Sequence, residues 1–430
     1  MIYSGVIKKL QNLRYMEKFW VVFARASLLV GTYANLRILT EALDPSVYGE
    51  LALWISLGTI TDVIITGSLN SGYERFFAIA TNEDNIKSYL NSVQKLLAFS
   101  AVVIVMQCVV SMTIMKSLLT IDSINIAICA LLFILITSYV TSFNTILNSA
   151  RLREAVAAST VIQMLSKVAV TLLIVVFTDG DIVLLLAGYV LSGVTTLAFQ
   201  LIIYEKKIHR PAKVNLPNKT RNYFKDILRY GSPFMIWGAF AAVQQVSDRW
   251  SLKYFLDGEV VGQYAVVFQL GYIPMITLSS VIAAYAAPII FQMSGTGNSN
   301  DNMKDADRLN GKVAFLCLIA TLVASCAAFL FHEYIFEYAV GSEYQTASKF
   351  LPLATLAGGF FSVSQALTLR AMSQLRPWDL LPVNICVPIL ATFGNIWGAM
   401  KFGIKGVFIN LVIHSILLTA SIFITVYRKK

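Results

Sequence analysis

Charge is scarce in this chain. Asp, Glu, Lys and Arg make up 13% of its 430 residues, against 57% apolar residues and a mean hydropathy of +0.68. A soluble domain carries about twice that share of charge, so a soluble fold is excluded and the solvent must be lipid. Cysteine is scarce and badly placed for chemistry. Cys108, Cys129, Cys317, Cys326 and Cys386 all fall inside apolar runs without CxxC spacing, which argues against a metal site or a disulfide framework. No GxxxxGK[ST] phosphate loop occurs, so the chain does not hydrolyse nucleotides itself, and its energy comes from a gradient or from the direction of substrate flow. Acids, bases and nucleophiles do not converge anywhere, and the longest outer loop spans only about His332 to Lys349. A membrane glycan polymerase or ligase needs more than that, and the expectation is no enzyme, no cofactor and no metal.

What the chain has in quantity is apolar runs long enough to cross a hydrocarbon core of about 30 Å. Twelve are expected: Phe19 to Leu39, Val47 to Leu69, Leu96 to Met115, Ile124 to Leu147, Ala155 to Phe177, Ile182 to Tyr204, then Tyr230 to Leu252, Val260 to Ala284, Val313 to Phe331, Phe350 to Met372, Leu380 to Met400 and Val407 to Tyr427. The fold class that follows is all-α integral membrane, with six helices in each half. Residues 1–204 form the first lobe, 205–229 a basic cytoplasmic linker and 230–430 the second lobe. An internal repeat supports the division. Leu43 to Ile60 and Leu256 to Ile273 agree without gaps at eight of eighteen positions, among them Asp44/Asp257, Gly49/Gly262 and Gly58/Gly271, at an offset of 213 residues. Self-similarity at fixed spacing is architecture.

Of 34 lysines and arginines, 24 fall on the side holding the N-terminus, 5 in the opposite loops and 5 within helices. Basic loops stay inside, so both termini are expected in the cytoplasm. The net charge of +10 is then a topology signal with some attraction to anionic membrane lipid, and nucleic acid is not implied.

The charges within the helices carry the functional argument. Arg25, Arg37, Lys167, Arg249 and Arg370 oppose Asp62 and Asp248, and each costs at least about 2.5 kcal/mol to insert unless it faces a cavity or a partner. A cationic surplus predicts an anionic cargo, and arginine in particular matches phosphate oxygens. Lys167 lies near the midplane of the fifth run, whereas Arg37 and Arg370 sit near helix ends, where snorkelling also accounts for them. Polar stripes recur at helical spacing: Thr137, Thr141, Asn144 and Asn148 in the fourth run, and Thr160, Gln163, Lys167 and Thr171 in the fifth. They either line an interior or act as packing glue. Asp62, flanked by Thr59 and Thr66 on one face, is the candidate for proton or sodium coupling, with Asp248 second.

The LDPSVYGELAL hairpin after the first run, the DRWSLKYFLDGEVVGQYAVVFQL stretch and the NSARLREAVA turn resemble bacterial polysaccharide and O-antigen flippases of the multidrug/oligosaccharidyl-lipid/polysaccharide exporter superfamily. The resemblance spans nearly the whole chain through loose, mostly structural motifs. It implies a MATE-like pair of pseudo-symmetric lobes around a cationic cavity in the bacterial inner membrane, moving an undecaprenyl-pyrophosphate-linked oligosaccharide outward by alternating access. Arg25, Lys167, Arg249, Arg37, Arg370, Asn144, Asn148 and Gln163 are then the candidate substrate contacts. The partners expected are the lipid-linked oligosaccharide, membrane lipid and other glycan-assembly proteins. A cation or drug exporter of the same superfamily is the main alternative, and a glycan polymerase a more distant one.

Overall fold

Without water to satisfy peptide groups, an apolar chain must close its own backbone hydrogen bonds, and helices do so within one segment. A computed structural model describes residues 2–119, 124–178, 180–210, 222–294, 300–374 and 376–428, and among them it contains helices and no strand. The middle of the basic linker, 211–221, lies outside the described residues. The helices are α1 (Ile2–Ala42), α2 (Pro45–Thr61), α3 (Gly67–Asn82), α4 (Ile86–Leu119), α5 (Ile124–Ser149), α6 (Arg153–Thr178) and α7 (Ile182–Tyr204), then α8 (Tyr223–Phe255), α9 (Gly258–Val267), α10 (Ile273–Ser294), α11 (Asn300–Ala339), α12 (Leu351–Ser373) and α13 (Leu381–Arg428).

Ten stretches among the described residues are long and apolar enough to cross a membrane, where twelve were expected. Two local features account for the difference. The expected seventh span lies in α8, whose Gln244, Gln245, Asp248 and Arg249 dilute its apolar character. The expected eleventh and twelfth spans run together in Trp378–Tyr427, broken at Gly403, where φ is 60° and ψ is −143°. That backbone conformation is one only glycine adopts without strain. Beyond Leu69, where the second expected run ends, the chain stays helical, and α3 continues to Asn82 with Tyr73, Phe76, Phe77 and Ala80 buried on one face.

Three helices among the described residues carry π turns, one of them Glu205–His209 at the end of α7 and the other two in the repeat copies. In the first repeat copy the turn is Asp62–Thr66, joining α2 to α3, and in the second it is Phe268–Tyr272, joining α9 to α10. The two sit on either side of equivalent residues, Thr61 and Pro274. Pro274 has no N–H to offer the preceding turn, and the Thr61 hydroxyl, 3.4 Å from the Leu57 carbonyl, donates to the Gln107 side-chain oxygen.

The helices form two compact units whose membership does not follow chain order. One comprises Met1–Leu39 and Trp54–Ala239, the other Thr40–Leu53 and Phe240–Lys430. In the second unit the repeat becomes a physical contact. A Cβ on Gly49 would strike the Gly258 carbonyl, and a Cβ on Gly262 would strike the Pro45 carbonyl. The offset of 213 carries 45 to 258 and 49 to 262, so α2 and α9 meet reciprocally, backbone on backbone. Asp257 caps α9 by accepting from the Val260 N–H at 2.9 Å, and Asp44 stands at the matching place before Pro45, which opens α2. The α1–α2 turn is further held by the 3₁₀ segment Ser342–Phe350, where the Tyr344 hydroxyl donates to the Leu43 carbonyl at 2.8 Å. Elsewhere in this unit α10, α11, α12 and α13 bury Ile290, Cys317, Val363, Leu367, Leu418 and Ile422 in one cluster.

Candidate functional site: an unpaired lysine in the first unit

Lys167 is positioned by three helices of the first unit. Gly31 on α1 lies so near Met164 on α6 that a Cβ there would stand 2.6 Å from the methionine Cβ, and Gly188 on α7 leaves room for Val170. Small residues of this kind let membrane helices approach closely. The approach brings three polar side chains into register. The Thr171 hydroxyl donates to Asn35 Oδ1 at 2.7 Å, and Asn35 Nδ2 donates to the Tyr189 hydroxyl at 3.2 Å. Lys167, one turn before Thr171, places Nζ 4.2 Å from the centre of the Tyr189 ring. That ring face offsets part of the ammonium charge, by about 2 kcal/mol for a desolvated cation. No carboxylate meets the lysine among the described residues, and its three donors remain open.

Arg25, on the same α1 about 15 Å along the axis from Asn35, is exposed and also lacks an acidic partner among the described residues. Gln163, one turn from Lys167, is half-buried. Asp62 is exposed at the start of the first π turn. These four residues all belong to the first unit.

The remaining candidates are engaged in other ways. Arg37 is half-buried and interacts with neighbouring groups. Asn144 Oδ1 accepts from Ser159 at 3.0 Å and from Gln200 at 2.9 Å, and Asn148 accepts from Arg153. The two asparagines of the α5 stripe thus tie α5 to α6, and Asn144 also ties it to α7. Asp248 is buried and takes the Tyr264 hydroxyl at 2.6 Å and Arg249 Nη1 at 3.4 Å, while the Arg249 guanidinium lies 4.8 Å from the Phe268 ring centre. Arg370, 7% exposed, pairs with Asp307 at 2.6 Å and lies 3.9 Å over the Tyr427 ring. The surplus of five cations over two carboxylates thus shrinks by one, because Asp307, which lies outside the expected runs, neutralises Arg370, while Asp248, already counted, pairs with Arg249. Arg25 and Lys167 are left with no carboxylate among the described residues.

Sequence reasoning also missed a polar bridge in the second unit. Asn395 donates to Ser247 at 2.8 Å, and Asn410 donates to Asn395 Oδ1 at 2.7 Å. Asn395 and Asn410 stand in the eleventh and twelfth expected runs, and their pairing depends on the close packing of Gly394 against Asn410.

Several solved structures share this fold over nearly their whole length. The lipid II flippase MurJ in an inward closed conformation aligns with a TM-score of 0.67 at 14% identity, over 96% of this chain and 87% of that one. An inward-facing multidrug resistance MATE family transporter of the MOP superfamily aligns at 0.69 and 15% identity, over 94% of both chains. A MOP superfamily transporter from Pyrococcus furiosus, described as having a binding pocket of reverse polarity, aligns at 0.62 and 15% identity, over 96% of both. Such identities establish the fold, which is that of MOP-superfamily transporters. No curated protein sequence matches the chain. The profile of a family described as polysaccharide biosynthesis protein matches residues 28–294, well over half of the chain, and the chain belongs to that family.

Proposed function

We propose that this protein is a flippase that carries an undecaprenyl-pyrophosphate-linked oligosaccharide, an O-antigen repeat or a similar unit, from the cytoplasmic to the outer leaflet of the bacterial inner membrane by alternating access, with both termini in the cytoplasm. The observation that carries it is the pair of cations, Arg25 and Lys167, left without carboxylates among the described residues, while Arg249 and Arg370 of the second unit are each paired with one. A diphosphate supplies the missing negative charge. Lys167 offers a point charge with three donors, Arg25 a planar fork, and Gln163 a nearby amide to the glycan. The polyprenyl tail stays in lipid throughout. Asp62, exposed at a π turn, is the coupling residue for a proton or sodium ion. Family membership in polysaccharide biosynthesis supports a saccharide cargo, and the likeness to MurJ supports a lipid-linked one. Membrane lipid and the other proteins of glycan assembly are the partners this activity requires.

The exposed carboxylate of Asp62, with the likeness to MATE transporters, supports a second reading: an ion-coupled exporter of drugs or organic cations. One experiment separates the two. Replacing Arg25 and Lys167 by alanine should abolish surface glycan, with Lys167→Arg restoring part of it. Undiminished surface glycan from a folded double variant would leave the cation exporter as the better account.

A further inference from the structure

The inner end of the first unit holds a feature that the charge argument does not use. α3 and α8 cross closely there, since a Cβ on Gly231 would come 2.9 Å from the Ser68 carbonyl and one on Gly72 would come 2.7 Å from the Ile227 side chain. Beside this crossing a cavity of about 320 Å³ is lined by Ser71, Glu74, Arg75, Ala78 and Tyr230. Tyr230 is 40% exposed, and its ring is held edge-on by Phe76 at 6.0 Å and 89°. The ring then continues into a row along α8, with Phe234 at 5.8 Å from Tyr230 and Trp237 at 6.4 Å from Phe234, nearly parallel at 24°. Spacing of four and three residues puts the three rings on one helical face, about 10 Å from end to end. Glu74 and Arg75 form no direct hydrogen bond or ion pair among the described residues, Glu74 having the Arg153 charge in its neighbourhood, and the Ser71 hydroxyl donates to the Gly67 carbonyl at 3.0 Å, leaving its lone pairs open.

A carboxylate, a guanidinium and a hydroxyl around an aromatic face are the groups that recognise a carbohydrate ring. Its hydroxyls pair with acceptors and donors in one plane, while its C–H face lies on the aromatic surface. A phosphate would suit Arg75 but be repelled by Glu74. A lipid tail would use the rings but leave both charges unused. From this juxtaposition we infer that α3 and α8 carry a saccharide-binding subsite, in which Glu74, Arg75 and Ser71 hold the first sugar of the cargo against Tyr230 and the Phe234–Trp237 row extends the path for its apolar faces. The inference rests on the flippase reading and adds to it a contact for the glycan, separate from the cations that meet the diphosphate.

The test uses the full chain in cells that make its lipid-linked glycan, with the photoprobe p-benzoylphenylalanine placed at Tyr230, at Gln163 beside Lys167, or at Phe329, an exposed ring on α11. After irradiation the purified protein is examined for adduct mass. Saccharide-bearing adducts at Tyr230 should exceed those at Phe329 by about tenfold, and Glu74→Gln with Arg75→Gln should remove most of that excess, since about 1.4 kcal/mol of lost contact is a factor of ten. Should the probe at Tyr230 prevent folding, Ala78 on the same cavity takes its place with the same expectation. Phospholipid alone at Tyr230, with saccharide at Gln163, overturns this inference and leaves the flippase reading intact. Saccharide at none of the three positions overturns both.

Discussion

At the scale of the residue, the same side chain type has opposite meanings in different surroundings. Arg370 and Lys167 both stand in helices where charge is costly, yet Arg370 has a carboxylate at 2.6 Å and an aromatic face at 3.9 Å, whereas Lys167 has a ring and, among the described residues, no carboxylate. The first is therefore a structural ion pair and the second an open charge. Removing one member of a buried pair costs about 3–5 kcal/mol, while replacing both by apolar residues is often neutral. Asp307→Ala should accordingly lower the melting temperature of the detergent-solubilised protein sharply, and Asp307→Ala with Arg370→Met should restore most of the loss. The effect on Arg370 is accentuated because its Nε and Nη1 already lack partners among the described residues. Sequence reading recognised both cations but not this difference. Asp307 lies 63 residues away from Arg370, beside Lys304 and Arg308 in what looked like a cytoplasmic loop, and nothing in residue spacing links the two.

At the scale of the element, glycine and asparagine decide how the helices meet. Gly49 and Gly262 face carbonyl groups, which cannot swing aside, whereas Gly58, another repeat position, has only Ile134 at 3.7 Å, an ordinary contact. Alanine at Gly49 or Gly262 should thus destabilise by about 1–3 kcal/mol or more, the cost of overpacking, while Gly58→Ala should leave the melting temperature within error. Equal effects at all three positions would show that helix propensity, not backbone contact, sets the result. The repeat itself was legible because Asp and Gly at fixed spacing stand out against interchangeable Leu, Val and Ala. Helix ends were less so. The apolar run ends at Leu69, but α3 continues because Tyr73, Phe76, Phe77 and Ala80 repeat at helical spacing inside a segment with Glu74 and Arg75, and amphipathic turns do not register in a hydropathy window. The Gly403 break has the reverse cause. Its flanks are both helical, so one glycine between Lys401 and Lys405 separates two runs that otherwise form a single stretch.

At the scale of the whole molecule, composition alone specified an α-helical membrane protein, and the distribution of lysine and arginine predicts cytoplasmic termini. A fluorescent protein fused after Lys430 should be bright, and alkaline phosphatase at the same place inactive; active phosphatase would reverse the topology and move the Tyr230 cavity to the outer side. The assignment of residues to units was not legible in chain order, because Thr40–Leu53 and Tyr223–Ala239 each belong to the unit built mainly from the other half. Hydropathy marks where a chain crosses lipid. It carries no information on which bundle a crossing segment joins, a choice made by carbonyl contacts such as that of Gly231 with Ser68.

The reciprocity at Pro45, Gly49, Gly258 and Gly262 bears on symmetry. A surface on which one site grips a second, and the second's counterpart grips the first's, is isologous and self-complementary. Each half carries both members of the contact, so two separate copies of one half would meet each other through the same turn, as a symmetric dimer does.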